Sequence, residues 1–183
     1  MICALYFGSF NPLHTGHITI AAYVLQHCNI DELRFVLTPE NPFKSGDSSL
    51  ADEKKRLERL TRSIERFKSE FRGKPVKVST VEFGMPKPNY TYNTLEYLRK
   101  SEPDNEFVIV MGADNISKIE RWYKWQEILK RYKVLVYPRK GFDTEALCNK
   151  YGVTFLDAPL CDISSTMIRK MAEAGEDVNE FLY

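Results

Sequence analysis

The chain has 183 residues, a formal net charge of +1 and four cysteines. Near-neutral charge removes the electrostatic case for a general nucleic-acid or membrane-surface binder, and no apolar run approaches the length of a membrane span. A chain of this size fits one domain, residues 1–183, that buries about 70% of its unfolded surface. Cys3, Cys28, Cys148 and Cys161 form no C-x-x-C pair, and no basic stretch followed by an apolar segment marks a signal peptide. The expectation is reduced thiols in a cytoplasmic protein.

Ile2 to Phe7 is a continuous apolar run and predicts a strand buried on both faces. Gly8 to Thr15 carries turn chemistry: a glycine, a serine and Asn11-Pro12. From Gly16 the apolar spacing turns helical through Ile18, Ala21, Ala22 and Leu25. Strand, small-residue loop and helix start in succession aim backbone N–H groups and a helix dipole at an anion in the loop. His14 and His17 stand at the same place, so Gly8, Ser9, Phe10 and the two histidines predict a nucleotide-phosphate site. The stretch lacks the G-x-G-x-x-G of dinucleotide sites and the Gly-Lys-Ser/Thr of a P-loop. Its histidines are three apart with no glutamate, which is not the pattern of a zinc-protease helix.

Leu33 to Leu37 reads as a second strand, followed by a loop, Thr38 to Gly46, that carries Lys44. Strand, helix and strand at this spacing make a right-handed βαβ unit. The second loop then lies beside the first at the carboxyl edge of the sheet, where open parallel sheets bind ligands. Residues 51–72 predict one charged helix with an apolar stripe of Leu57, Leu60, Ile64, Phe67 and Phe71. Its lysines and arginines, interleaved with glutamates, read as a solvated face. Val76 to Ser79 is a short strand and Gly84 to Asn89 a loop. Thr91 then predicts an N-cap with Thr94 at the third helical position.

Phe107 to Met111 predicts a central strand, with Gly112-Ala113-Asp114 at its carboxyl end and a helix that Asp114 could cap. Trp122 and Tyr123 follow; Trp125 is assigned to the core. Lys133 to Tyr137 is a fifth strand, Pro138 to Phe142 a turn containing Arg139, and Val153 to Leu156 a short further strand. Ser164 predicts the N-cap of a last helix, on which Thr166 and Arg169 share a face, making a second anion site. The alternation predicts an α/β fold, a Rossmann-like, doubly wound, mostly parallel sheet flanked by helices.

Gly8 to His17 resembles the first signature of the nucleotidyltransferase superfamily, with Asn11 where an aspartate is usual. Ser164-Ser165-Thr166 and Arg169 resemble its second signature in the form Ser-x-Thr-x-x-Arg. Asn89-Tyr90-Thr91-Tyr92-Asn93-Thr94 is similar to a stretch of the nicotinate mononucleotide adenylyltransferases that lies over the pyridine-nucleotide pocket. So is Gly112-x-Asp114 with Trp122-Tyr123 eight residues after the aspartate, and the turn at Arg139. Similar enzymes carry Pro-Pro-His-Lys at the second loop; this chain keeps Pro42 and Lys44 and has Phe43. His14 and the Arg169 form favour this branch over the phosphopantetheine adenylyltransferases and the cytidylyltransferases.

The resemblance implies transfer of AMP from ATP to nicotinate mononucleotide, in line at the α-phosphorus. It implies ATP contacts from Gly8, Ser9, Phe10, His14, His17, Gly112, Asp114, Ser164, Thr166 and Arg169, with His14, His17, Lys44 and Arg169 as catalytic groups. It implies acceptor contacts from Lys44, Tyr90, Thr91, Trp122, Tyr123 and Arg139, with Trp122 stacked on the pyridine ring. Mg²⁺ is expected on the ATP phosphates rather than in a protein cage. No lone cation is assignable to a nicotinate carboxylate, although the helix start at Thr91 offers N–H groups. The same chemistry on nicotinamide mononucleotide or phosphopantetheine stays open, as does a nucleotide-binding regulator without turnover. A homo-oligomer is allowed, with no self-complementary patch to define it.

Overall fold

Apolar runs with two buried faces become the inner strands of one sheet. In the computed structural model, which describes residues 1–39 and 53–182, β1 is Ile2–Gly8 and β4 is Glu106–Gly112. Beside β1 lies β2, Glu32–Leu37, and then β3, Val76–Ser79. Beside β4 lie β5, Lys133–Tyr137, and β6, Thr154–Phe155. The order is β3-β2-β1-β4-β5-β6, and every pair is parallel. The mostly parallel sheet expected from the sequence is wholly parallel among the described residues.

The helices are α1, Thr15–His27; α2, Glu53–Arg66; α3, Thr91–Ser101; α4, Ala113–Ile116; α5, Trp125–Arg131; α6, Thr144–Tyr151; and α7, Ser165–Glu173. Alternation along the strands separates two cores. Ala4, Tyr6, Phe35 and Val110 pack with Ile18, Val24, Leu60 and Ile64 on one face. Cys3, Leu5, Ile109 and Met111 pack with Leu95, Ile116 and Ile128 on the other.

The chain runs outward from β1 to β3, then returns to β4 on the opposite side of β1. This reversal leaves a crevice at the carboxyl ends of β1 and β4, where doubly wound sheets take their ligands. Tyr6 pairs with Val110 and Gly8 with Leu37, so the loops after β1, β2 and β4 leave the sheet at one level.

Three local expectations need correction. The charged helix is not continuous over 51–72: α2 ends at Arg66, a separate 3₁₀ turn covers Lys68–Phe71, and Arg72 is left-handed at φ 49°. Its apolar stripe still packs, with Leu60, Ile64 and Phe71 buried. Thr91 is not the N-cap of α3; Tyr90 is, and its carbonyl accepts from the N–H groups of Asn93 and Thr94. Nor does Asp114 cap α4. Gly112 holds that position, and a side chain there would collide with Asp114 Oδ1 and the ring of Tyr137.

Candidate active site

A cavity of about 510 Å³ opens along the carboxyl edge of the sheet. Its floor is the loop between β1 and α1. Phe10 takes a left-handed backbone, φ 43°, and Asn11-Pro12 is a cis peptide. The Phe10 ring packs edge-on against Tyr6, His17 and Phe35, which fills the space under the loop with aromatic surface. His14 is the N-cap of α1. The first turn of α1 points N–H groups with no intrahelical acceptor toward this floor. Gly16 is required there, because a side chain would strike Cys161 Sγ.

His14 and His17 lie side by side, and both line the cavity. The backbone N–H of His14 donates to Nδ1 of His17 at 3.2 Å. That bond assigns the neutral His17 proton to Nε2, which becomes a hydrogen-bond donor. Burial, followed by the charge of Arg139, pushes His14 down to about 4. Burial, then His14, then Arg139 hold His17 well below the usual imidazole range. Both rings are neutral at pH 7 in the free protein.

The opposite wall is the start of α7. Ser164 is its N-cap, and its hydroxyl accepts from the Met167 N–H at 3.1 Å. The Ser165 hydroxyl donates to the Pro12 carbonyl at 2.8 Å. Arg169 donates through Nη1 to the Asn11 carbonyl and through Nη2 to the Thr166 hydroxyl at 3.3 Å. The two sequence signatures, at opposite ends of the chain, are therefore tied directly to one another. Arg139 closes the same corner by donating to the carbonyls of Ile163 and Cys161, and it lies 3.9 Å from Asp114. Two helix N-termini and two guanidinium groups thus face one cavity, an arrangement that suits a polyphosphate.

The far end of the cavity is aromatic. Tyr90 and Tyr123 pack with ring centres 5.1 Å apart and planes tilted by 34°, and Tyr92 meets Tyr123 edge-on. Trp122 is half-buried beside them, and Thr91 begins α3 at the same place. Lys118 and Arg121 stand on this wall too, cations that sequence reading did not connect with the acceptor.

Of the residues singled out from the sequence, Gly8, Ser9, Phe10, His14, His17, Tyr90, Thr91, Asp114, Trp122, Tyr123, Arg139, Ser164, Thr166 and Arg169 all line this one cavity. Gly112 stands just behind it, under Asp114. Lys44 lies outside the described residues. Trp125, assigned to the core, is half-buried and packs edge-on against Tyr151. Among the described residues no three His, Cys, Asp or Glu side chains are grouped to hold a metal ion.

Two polar residues escaped the sequence reading. Glu82, in the 3₁₀ turn Val81–Gly84, is buried against the cavity and accepts from the Thr94 hydroxyl at 2.7 Å. Its Oε2 has no hydrogen-bond partner among the described residues, and burial raises its pKa. Arg56 was assigned to a solvated face; it is instead 1% exposed and donates to the carbonyls of Ser9, Thr38 and Pro39. Its position four residues before Leu60 was the available signal, because i and i+4 share a helix face.

Residues 5–171 match the family model of cytidylyltransferase-like proteins. The chain is 37% identical to a protein of Bacteroides fragilis named "Probable nicotinate-nucleotide adenylyltransferase", over 98% of this chain and 86% of the relative. It is also 37% identical to a protein of the same name from Christiangramia forsetii, over 97% of this chain and 89% of the relative. The solved nicotinic acid mononucleotide adenylyltransferase of Plasmodium falciparum in complex with NaAD has the same fold. It superposes with a TM-score of 0.84 at 20% identity, over 100% of this chain and 90% of that one.

Proposed function

From its membership of the nicotinate-nucleotide adenylyltransferase family, within the cytidylyltransferase-like proteins, we propose that this chain transfers AMP from ATP to nicotinate mononucleotide. The products are nicotinate adenine dinucleotide and pyrophosphate, a step in the synthesis of NAD. The observation that carries the reading is one cavity with a polyphosphate end and an aromatic end. The first is built by His14, His17 and the N-termini of α1 and α7; the second by Tyr90, Trp122 and Tyr123.

The chemistry follows from that division. A phosphate oxygen of the acceptor forms a bond to the α-phosphorus as the bond to the β-bridging oxygen breaks. No side-chain nucleophile is needed, because the acceptor brings its own anionic oxygen. Holding the two substrates in line can contribute roughly 7–11 kcal/mol. His17 Nε2–H donates to the α-phosphate as charge develops, and His14 contacts the triphosphate. Arg169 and Thr166 hold phosphate oxygens at the start of α7, with Ser164 and the loop of Gly8, Ser9 and Phe10 around them. Lys44 is a further phosphate contact. Asp114, placed by Gly112, holds a ribose.

Trp122 stacks on the pyridine ring, with Tyr90, Thr91, Tyr123 and Arg139 completing the acceptor site. Lys118 and Arg121 add positive charge that favours an acidic acceptor over its neutral amide. Mg²⁺ brought with ATP would supply charge neutralisation for the leaving pyrophosphate. Residues 1–183 act as one nucleotidyltransferase domain. Four free cysteines suit work in the reducing cytoplasm.

The test offers nicotinate mononucleotide, nicotinamide mononucleotide and phosphopantetheine in parallel, with ATP and Mg²⁺, and follows pyrophosphate release. Strong preference for the first is expected. Preference for another acceptor would overturn the pocket assignment and leave the transfer chemistry standing. ATP binding with no release from any acceptor would make the chain a nucleotide-binding regulator.

A further inference from the structure

We infer that Arg56 is a positioning residue of the phosphate loop, setting from behind the direction of a backbone N–H that faces the nucleotide. The inference rests on the adenylyl-transfer reading for its ligand, a polyphosphate, and on local geometry for its mechanism. Arg56 lies on α2, outside the cavity wall, whereas Ser9, Phe10 and Thr38 are part of that wall. Its Nη1 donates to the Ser9 carbonyl at 3.0 Å and to the Thr38 carbonyl at 3.1 Å, and its Nη2 to the Pro39 carbonyl at 3.2 Å.

In a trans peptide the C=O and the following N–H point in opposite directions. The Ser9 carbonyl turned back onto Arg56 therefore turns the Phe10 N–H away from it, to the cavity side of the loop. Phe10 is also the residue with a left-handed backbone, a conformation that a side-chain-bearing residue keeps only when its surroundings hold it. The guanidinium fixes one side of that peptide, and the packing of the Phe10 ring on Tyr6, His17 and Phe35 fixes the other.

The same fork joins the loop after β1 to the end of β2, where the Thr38 N–H donates to the Gly8 carbonyl at 2.9 Å. Arg56 thus locks two loops of the sheet edge in one register. Lysine keeps the charge but has no planar fork to reach three carbonyls.

The test uses the full chain, with a non-hydrolysable ATP analogue and Mg²⁺ as the probe and amide NMR as the readout. In the wild type, the Phe10 amide is expected to shift on addition of the analogue. In Arg56→Lys, that shift is expected to be lost while the melting temperature stays within a few degrees, and kcat falls 10- to 100-fold. An Arg56→Lys protein that keeps kcat within threefold and keeps the Phe10 shift overturns the inference. A wild-type Phe10 amide that ignores the analogue overturns it whether or not any variant folds. A wild type that releases no pyrophosphate with any acceptor defeats the adenylyl-transfer reading alone, because the Phe10 response is measured without turnover.

Discussion

The imidazoles of His14 and His17 lie 3.8 Å apart, centre to centre, and tilted by 32°. Two imidazolium ions cannot share that position without strong repulsion, and burial has already lowered both pKa values. Each ring is therefore neutral in the free protein and able to donate one N–H. Binding of an ATP analogue is expected to raise both pKa values, because phosphate charge favours the protonated rings. Imidazole nitrogen NMR across a pH series, with and without the analogue, measures this directly. Unchanged titrations would mean that the phosphates lie elsewhere.

The same shifts link pH to stability. His14 titrates at about 4 in the folded protein, against an ordinary value of 6.5. The unfolded chain takes up the proton first as pH falls. The stability tied to a neutral His14 is complete above 6.5 and is lost progressively as pH falls toward 4, about 3 kcal/mol in all. Chemical denaturation of the wild type and of His14→Gln between pH 7.5 and 4 should show the wild type losing stability more steeply. Parallel curves would remove His14 as a cause.

Glu82 carries the opposite sign. Its pKa is raised by burial, so its contribution is fully present below the ordinary carboxylate range and is lost as pH rises through its folded value. Glu82→Gln keeps the Thr94 hydrogen bond and removes the buried charge. Its melting temperature is expected to match or exceed that of the wild type at pH 8, with the advantage shrinking toward pH 4.5. A variant less stable than the wild type at pH 8 would mean that the ionised carboxylate has a partner it needs.

The site was legible where chemistry is written in contiguous residues. His14 and His17, and Ser164, Thr166 and Arg169, each sit within a few residues at a predicted helix start, so both spacing and helix polarity announced them. Arg56 and Glu82 were not legible in the same way. A buried charge owes its place to carbonyls or hydroxyls far away in sequence: Arg56 is 47 residues from Ser9, and Glu82 is 12 from Thr94. Thr91 was misplaced for a related reason. Threonine is a good cap by propensity, but the chain turns into α3 one residue earlier, at Tyr90, whose ring packs on Tyr123. The strands and their parallel, helix-flanked layering were legible in apolar runs and βαβ spacing, which depend on no single residue.

Trp122 provides a test of the aromatic end. Stacking of a flat ring on tryptophan is worth about 1–3 kcal/mol. Trp122→Ala is expected to raise KM for nicotinate mononucleotide by roughly tenfold or more and to change KM for ATP much less. Steady-state kinetics with each substrate varied in turn measures this split. An equal rise for both would place Trp122 in the fold rather than on the acceptor.

His17 should give the largest single loss in turnover. Removing one donor to developing charge costs roughly 3 kcal/mol, or about 100-fold in kcat. His17→Ala is expected to fall by that factor while still binding the ATP analogue. A variant that keeps most of its turnover would show that the Nε2–H is not the donor.

The most direct measurement follows the phosphorus atoms of ATP. ATP labelled at the α- or the γ-phosphate is supplied with Mg²⁺ and nicotinate mononucleotide, and the products are separated. The α label is expected in the dinucleotide and the γ label in pyrophosphate, in equal amounts and only when the acceptor is present. Free inorganic phosphate carrying the γ label, or an α label that never leaves the adenosine phosphates, would contradict adenylyl transfer to this acceptor.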